Sequence, residues 1–196
     1  MAAIPAAIFG VAILALVIAI LARNRSSYGP DARIDPLTGL SARAPWEAAV
    51  AREVARSRRY GQPFCVALID LDRPHGLANG VIQDVAQAWE AELRESDLLA
   101  RVGEGRFAAL LIGCLANEAR IDRMRSTTPQ RHPSAAGIAC WNGAEPSETL
   151  VKRAEQALVR AKRAGGGTVV LQPAQTRLDR SSEPRGSRAS PAPRSP

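Results

Sequence analysis

The sequence predicts an α/β domain with a mixed central sheet, and three observations lead to that prediction. The segment Phe64-Cys65-Val66-Ala67-Leu68-Ile69 is a continuous apolar run, which is typical of a strand buried on both faces. It lies between two segments, at about 42–60 and 80–96, whose apolar residues recur every four positions as in an amphipathic helix. The stretch from Asp97 to Ala108 has the pattern of a hairpin, strand, glycine turn and strand, with charged groups at its tip.

The remaining elements follow from the same patterns. Trp46, Val50 and Val54 form the apolar face of the first helix, which Gly61-Gln62-Pro63 ends. The apolar face of the second helix is formed by Val81, Val85, Trp89 and Leu93. After the hairpin, whose second strand runs from Phe107 to Ile112, the sequence predicts a helix near 116–125, a strand near 135–141, a helix over 146–164 and a last strand over 168–171.

An uncharged apolar run occupies residues 3–22. About 20 apolar residues in a helix span the roughly 30 Å core of a bilayer. A cleaved signal peptide is the alternative, but no basic segment precedes the run, and it is long for a signal core. Because Arg23 and Arg25 follow the run, the positive-inside rule places the rest of the chain in the cytoplasm. We expect a single-pass protein of the inner (cytoplasmic) membrane, with its C-terminal domain in the cytoplasm.

Residues 172–196 are rich in Pro, Ser and Arg and almost free of apolar residues, so we expect a disordered, solvated basic tail. Contact of this tail with anionic lipid or nucleic acid is the alternative, and we expect no nucleic-acid partner. The sequence therefore predicts four parts: a transmembrane helix over 1–24, a linker over 25–34, one domain over 35–171 and the tail over 172–196.

The chain has three cysteines, Cys65, Cys114 and Cys140, an odd count, and each lies inside an apolar segment. This pattern predicts small buried thiols in a reducing compartment rather than a disulfide or a metal site.

Five short motifs occur in a fixed order in the central part of the chain. They are Asp35-Pro36-Leu37-Thr38-Gly39-Leu40, Val66-Ala67-Leu68-Ile69-Asp70-Leu71-Asp72, Gly103-Glu104-Gly105-Arg106-Phe107, Ala135-Ala136-Gly137-Ile138-Ala139 and Ala154-Glu155-Gln156-Ala157-Leu158-Val159-Arg160-Ala161-Lys162. Together they resemble the GGDEF family, the diguanylate cyclases. The resemblance implies a ferredoxin-like or palm-like βαββαβ core and an enzyme class that joins two GTP into cyclic di-GMP.

The resemblance also implies a site for divalent metals, and the sequence departs from it there. Asp70 matches the first metal-binding aspartate. The second carboxylate position is occupied by Gly105, and the glutamate that usually follows is replaced by Arg106, a permanent cation. Glu104 lies one residue early, and a one-residue offset in a hairpin turns a side chain to the other face. We therefore assign no catalytic residue, and Mg²⁺ is expected only if residual cyclase activity exists.

The positions that match the family's nucleotide contacts are altered as well. The phosphate loop corresponds to Arg73-Pro74-His75, in which Pro74 has no N–H to donate, and the guanine-reading pair falls on Ala78-Asn79. Lys162 matches a phosphate-binding lysine, but Gly165-Gly166-Gly167 lacks the arginine that usually follows. These changes predict a protein without cyclase activity.

A candidate regulatory motif precedes the hairpin. Arg94-Glu95-Ser96-Asp97 matches the Arg-x-x-Asp inhibitory site, at which the family binds cyclic di-GMP; the alternative is a helix-end pair or cap. Three hypotheses remain open. The favoured one is an inactive, membrane-tethered module that acts through a protein partner or as a homodimer; the others are a cyclic di-GMP receptor that uses Arg94 and Asp97, and a residual diguanylate cyclase.

Overall fold

A five-stranded mixed sheet forms the centre of the computed structural model. The structure describes residues 33–72, 77–113, 118–129, 132–165, 167 and 169–172. The predicted membrane helix, most of the predicted linker, the tail, Arg73-Pro74-His75 and Cys114 lie outside the described residues. None of the helices in the described part of the chain has the length and apolar character that crossing a bilayer requires.

Four helices and five strands alternate along the described chain. In order they are α1 (Arg43–Tyr60), β1 (Phe64–Leu71), α2 (Asn79–Ala91), β2 (Leu98–Arg101), β3 (Arg106–Ile112), α3 (Glu118–Ser126), β4 (Ser134–Cys140), α4 (Ser147–Arg163) and β5 (Val169–Gln172).

The strand order across the sheet is β2-β3-β1-β4-β5. All neighbouring pairs are antiparallel except β4 and β5, which are parallel, so the prediction of a mixed sheet is confirmed. All eight residues of the central strand β1 are buried, as its continuous apolar run predicted. Side chains such as Trp89 of α2 and Met124 of α3 cover one face of the sheet, while Trp46 of α1 and Leu150 of α4 cover the other.

The second predicted helix is shorter than its apolar periodicity indicated. Helix α2 ends at Ala91, not near residue 96. The N–H of Leu93 already bonds to the carbonyl of Glu90, and the N–H of Arg94 bonds to the carboxylate of Asp97 at 3.1 Å. Because the Asp97 side chain competes with the helix carbonyls for this donor, the chain turns away. Leu93 remains packed against the core outside the helix, which is why the periodic pattern continued past its end.

The prediction of unpaired thiols is wrong for two of the three cysteines. Cys65 and Cys140 face each other in the β1–β4 register and form a disulfide. Their separation of 75 residues in the sequence gives no sign of this proximity, which depends on how the two strands pair.

Helix α4 approaches strand β4 very closely at Gly137. A Cβ atom at this position would lie 2.1 Å from the backbone nitrogen of Leu158 and 2.4 Å from the carbonyl oxygen of Ala154. Only glycine permits this approach, and the helix that it holds against the sheet carries Lys162 in its last turn.

Candidate functional site

The register of the sheet brings Asp70 and Arg106 together. Asp70 is the penultimate residue of β1 and pairs directly with Arg106, the first residue of β3. Directly opposed residues of an antiparallel pair project their side chains to the same face, with Cβ atoms about 5 Å apart. The position at which sequence reasoning expected a metal ligand is therefore next to a guanidinium group.

Two cationic side chains converge on one oxygen of Asp70. Its Oδ2 accepts hydrogen bonds from Nε and Nη2 of Arg106, at 3.1 and 2.8 Å, and from Nζ of Lys162, at 2.6 Å. The Asp70 side chain is only 8% exposed, whereas those of Arg106 and Lys162 are 40% and 42% exposed. One nearly buried carboxylate thus lies beneath two cations that reach the solvent.

The signature hairpin is ordered mainly by backbone contacts. The N–H groups of Val102 and Gly103 donate to the carbonyl of Arg106, at 2.8 and 3.2 Å, and the carbonyl of Gly105 accepts from the N–H of Leu71 at 2.9 Å. Gly105 is buried, while Glu104 is exposed at the tip. The hairpin is therefore fixed against the end of β1, with its position 105 inside and its one acidic side chain outside.

The second strand of the hairpin is anchored in the core by Phe107. This residue is fully buried, and its ring packs edge-to-face against Trp89 with ring centroids 5.1 Å apart. The anchor fixes the strand whose first residue is Arg106.

The residues present do not fit the divalent metal that the resemblance implies. One oxygen of the Asp70 carboxylate, Oδ2, already accepts three N–H donors, and Gly105 has no side chain to offer as a ligand. Among the described residues, no group of three His, Cys, Asp or Glu side chains could hold a metal ion. Mg²⁺ is usually held by one or two carboxylates together with waters and phosphates, and here the Asp70 carboxylate is already paired with two cations.

A second ion pair ties the segment before α1 to the hairpin. Asp35 accepts hydrogen bonds from the N–H and the hydroxyl of Thr38, at 2.9 and 2.6 Å, and from Nη1 of Arg101 at 3.3 Å. Arg101 also donates to the carbonyl of Glu104 at 2.7 Å. Asp35 belongs to one of the sequence motifs, but the sequence does not reveal that Arg101 is its partner, because the two residues are 66 positions apart.

The side chains of the Arg-x-x-Asp motif lie in different environments, one buried and one exposed. The Asp97 side chain is 0% exposed; Oδ2 accepts from Nη1 of Arg120 at 2.6 Å and Oδ1 from the N–H of Ile112 at 3.0 Å. Arg94 is exposed, and its backbone N–H is the group that bonds to Asp97. This bond joins a backbone N–H to a side chain in the segment after α2, and sequence reasoning missed the partner Arg120 on α3.

The remaining nucleotide positions are only partly described. Asn79 is the exposed first residue of α2, and Gly165, after the last turn of α4, has a φ of +105°.

Comparisons with known proteins agree with the resemblance. The family model described as "Diguanylate cyclase, GGDEF domain" matches residues 32–168. Diguanylate cyclase DgcP of Pseudomonas aeruginosa is 33% identical over 151 residues, which are 67% of this chain and 22% of DgcP. Diguanylate cyclase DosC of Escherichia coli is 30% identical over 159 residues, or 70% of this chain and 35% of DosC. The chain thus spans between a fifth and about a third of the length of these relatives.

Solved structures have the same fold. Diguanylate cyclase SiaD of P. aeruginosa, in complex with its activator SiaC, aligns with a TM-score of 0.65 at 28% identity, covering 85% of this chain and 70% of SiaD. The GGDEF domain of TpbB from P. aeruginosa aligns with a TM-score of 0.64 at 27% identity, covering 70% of this chain and 93% of that one. The GGDEF domain of DgcB from Caulobacter crescentus, in complex with c-di-GMP, has a TM-score of 0.66 at 23% identity, covering 74% of this chain and 98% of that one.

Proposed function

Because this chain belongs to the GGDEF family of diguanylate cyclase-type domains, we propose that it is a catalytically inactive member that acts in cyclic di-GMP signalling through a protein partner or as a homodimer. The observation that carries this proposal is the contact of Arg106 and Lys162 with the single carboxylate of Asp70. Joining two GTP molecules requires divalent cations that neutralise the phosphates, and the protein usually holds such cations through one or two carboxylates.

Simple electrostatics supports the loss of the metal. At about 4 Å, a divalent ion and a unit charge interact with about 2 kcal/mol even at the dielectric constant of water. One carboxylate attracts the ion by that amount, and the cations of Arg106 and Lys162 together repel it by about twice as much. The balance is unfavourable, and it worsens at the lower dielectric constant near a protein surface. Position 105 is a glycine, so it has no carboxylate with which to offset this repulsion.

A turnover assay tests this proposal. Purified full-length protein, incubated with GTP and either Mg²⁺ or Mn²⁺, should form no cyclic di-GMP detectable by mass spectrometry, while DosC assayed in parallel serves as the active control. Product that forms with the wild-type chain and disappears in Asp70→Ala would establish a residual diguanylate cyclase instead.

A protein partner or a second copy of the chain would then carry the signal. The complex of SiaD with its activator SiaC supports a protein partner, because it demonstrates that a protein with a domain of this fold can be controlled by another protein. Sedimentation of the detergent-solubilised chain at several concentrations distinguishes the two routes. If the chain forms a homodimer, its mass should double as the concentration rises. If it remains a monomer at all concentrations, a separate protein partner is the remaining route.

A cyclic di-GMP receptor is the second candidate. The observation that favours it is the exposed side chain of Arg94, since a guanidinium can bond to both a phosphate and a guanine edge. Asp97 already accepts bonds from Arg120 and from backbone N–H groups, so Arg94 would be the main contact. Calorimetry with cyclic di-GMP should show binding to the wild-type chain that Arg94→Ala abolishes. Absence of binding to the wild-type chain would eliminate this candidate.

Membrane attachment is part of the proposal and rests on the apolar run over residues 3–22, followed by Arg23 and Arg25. The protein should resist carbonate extraction from the inner membrane, and its C-terminal domain should be protected from protease added to spheroplasts. Release by carbonate, or digestion in intact spheroplasts, would contradict the single-pass topology. The four-part division of the chain remains a prediction.

A further inference from the structure

The two helices on one side of the sheet carry an excess of exposed positive charge. Helices α1 and α4 form one layer, in which Trp46 and Leu150 pack into the same cluster against the sheet. Nine basic and three acidic residues of this layer are exposed: Arg43, Arg52, Arg56, Arg58, Arg59, Lys152, Arg160, Lys162 and Arg163, against Glu47, Glu148 and Glu155. Among the described side chains of α2 and α3, on the other side, the exposed charges are Asp84, Glu90, Asp122 and Arg123. The surface of the α1–α4 layer is therefore basic, and that of the opposite layer is not.

Most of these basic side chains have no carboxylate partner. Within the described residues, the ion pairs of this set join Arg43 to Glu47, Arg56 to Glu53 and Lys162 to Asp70. The other six retain their charge, and Arg58 bonds only to backbone carbonyls. Arg52 and Arg59 are two helical turns apart, so they project from the same side of α1. Several unneutralised cations thus point outward together.

Apolar side chains are exposed on the same side of the domain. In the described part of the chain, the exposed large apolar residues are Ile34, Tyr60 and Val159, with exposed fractions of 62%, 63% and 47%. Tyr60 is the last residue of α1, Val159 lies on α4, and Ile34 belongs to the segment that leads into α1. Basic residues interspersed with exposed apolar ones are typical of surfaces that lie on a membrane.

The chain enters the domain beside α1. The N–H of Ala42, the residue before α1, donates to the carbonyl of Arg33 at 3.1 Å, so the first described residue lies next to the start of this helix. Ten residues, 23–32, separate Arg33 from the apolar run over 3–22. Ten residues span at most about 35 Å when fully extended. A membrane anchor formed by the apolar run therefore keeps α1 close to the bilayer.

We propose that the outward faces of α1 and α4 bind the anionic head groups of the membrane to which the chain is attached. The inference rests on the membrane attachment included in the proposed function. Each Lys or Arg close to an anionic leaflet strengthens attachment about fivefold at physiological salt. Docking by this layer leaves α2 and α3 facing away from the bilayer, where a protein partner can reach them.

Amine acetylation of the full-length chain in nanodiscs tests this orientation. Arg52→Lys introduces an amine probe on α1 without changing the charge, and Gln87→Lys introduces one at an exposed position of α2. In nanodiscs with phosphatidylglycerol, the Arg52→Lys probe should react about fivefold or more slowly than in phosphatidylcholine alone, while the Gln87→Lys probe should react equally in both. Salt at about 1 M, where the Debye length is about 3 Å, should abolish the difference. Equal reactivity of the Arg52→Lys probe in both lipids, or equal protection of both probes, would overturn the proposal.

Charge reversal connects the protection to the layer. Lys152, one of two lysines in the sequence, is the probe in the wild-type background and should be protected by phosphatidylglycerol. Arg52→Glu combined with Arg59→Glu should abolish this protection, whereas Arg52→Lys combined with Arg59→Lys should retain it, which separates loss of charge from misfolding. Arg94→Glu combined with Arg123→Glu is the matched control, since it makes the same charge change at exposed positions outside the layer. Loss of protection in this control as well would refute recognition by α1 and α4.

Two further outcomes separate this inference from its alternatives. Protection of the Arg52→Lys probe by duplex DNA in neutral nanodiscs, without protection by phosphatidylglycerol, would assign the face to nucleic acid and overturn the proposal. A chain that resists carbonate extraction but shows no lipid-dependent protection would refute docking alone. Release by carbonate would refute the membrane attachment on which docking depends.

Discussion

Arg106 of β3 lies directly opposite Asp70 of β1, and its guanidinium donates two hydrogen bonds to the Asp70 carboxylate at 3.1 and 2.8 Å. This pair changes the end of the central strand from a place that could attract a divalent cation to one that already contains cations. Lys162 adds a second cation to the same oxygen. The proposed loss of metal-dependent chemistry rests on this sheet register and on these two side chains.

Reversing the charge at position 106 should make the stability of the domain sensitive to metals. Arg106→Glu would place a second carboxylate opposite Asp70, and we expect it to lower the free energy of unfolding by about 1–2 kcal/mol, since the lost pair is partly solvent-exposed. Mg²⁺ or Mn²⁺ should then raise the melting temperature of this variant, whereas the wild-type chain should melt at the same temperature with and without metal. Arg106→Gln, which gains no carboxylate, is the control and should not respond. Equal stabilisation of all three proteins by metal would contradict the account.

Replacing Gly137 should disrupt the contact between α4 and β4. In Gly137→Ala the new methyl group would meet backbone atoms of Leu158 and Ala154 that cannot move independently of the helix. We expect a loss of about 3 kcal/mol or more in urea-induced unfolding. Gly80→Ala is the matched control, because Gly80 lies in α2 with no atom within 4 Å of the added Cβ and a helix-compatible backbone. It should be neutral or stabilise by up to about 1 kcal/mol; equal losses in both variants would refute the packing argument.

The two residues of the Arg-x-x-Asp motif should differ sharply in their effect on stability. Asp97→Asn removes a fully buried charge that pairs with Arg120, whose side chain is 12% exposed, and should cost about 2–3 kcal/mol in chemical unfolding. Arg94→Gln, at an exposed position, should stay within about 0.5 kcal/mol of the wild-type value. A stable Asp97→Asn protein would mean that the ion pair does not hold α3 to the start of β2. Because Asp97 has this structural role, Arg94 is the variant to use in ligand binding.

The disulfide can be tested by counting thiols. Denatured protein that has been reduced should expose two more thiols per chain than the same protein denatured without reductant, and Cys65→Ala should abolish that difference. Because the bridge joins positions 75 residues apart, reduction should lower the free energy of unfolding by about 2–4 kcal/mol. An unchanged thiol count after reduction would contradict the pairing of Cys65 with Cys140.

Sequence patterns were sufficient for features encoded locally. The apolar run of β1 predicted a strand buried on both faces, and the position of Asp70 at its end followed directly. The hairpin motif aligned Arg106 with a position beside the expected metal, because strand, turn and strand are contiguous in the chain. Alternation of periodic helices with short apolar strands was also enough to predict the mixed α/β fold.

Features that depend on distant pairing could not be derived in the same way. The contact between Lys162 and Asp70 joins residues 92 positions apart, and it depends on how closely α4 packs against β4 at Gly137. The pairing of Asp97 with Arg120 joins residues 23 positions apart. The early end of α2 arises because the Asp97 side chain competes with the helix carbonyls for a backbone N–H. The spacing of apolar residues in the sequence does not reveal such competition.

The central claim is that Asp70 binds the cations of its own chain instead of a metal, and Mn²⁺ binding tests it most directly. Electron paramagnetic resonance can count the Mn²⁺ held by the full-length chain, with and without a non-hydrolysable GTP analogue, in the wild type and in Asp70→Ala. The account predicts that the substitution removes no bound Mn²⁺ under either condition. One or two Mn²⁺ ions bound by the wild-type chain and lost in Asp70→Ala would contradict it.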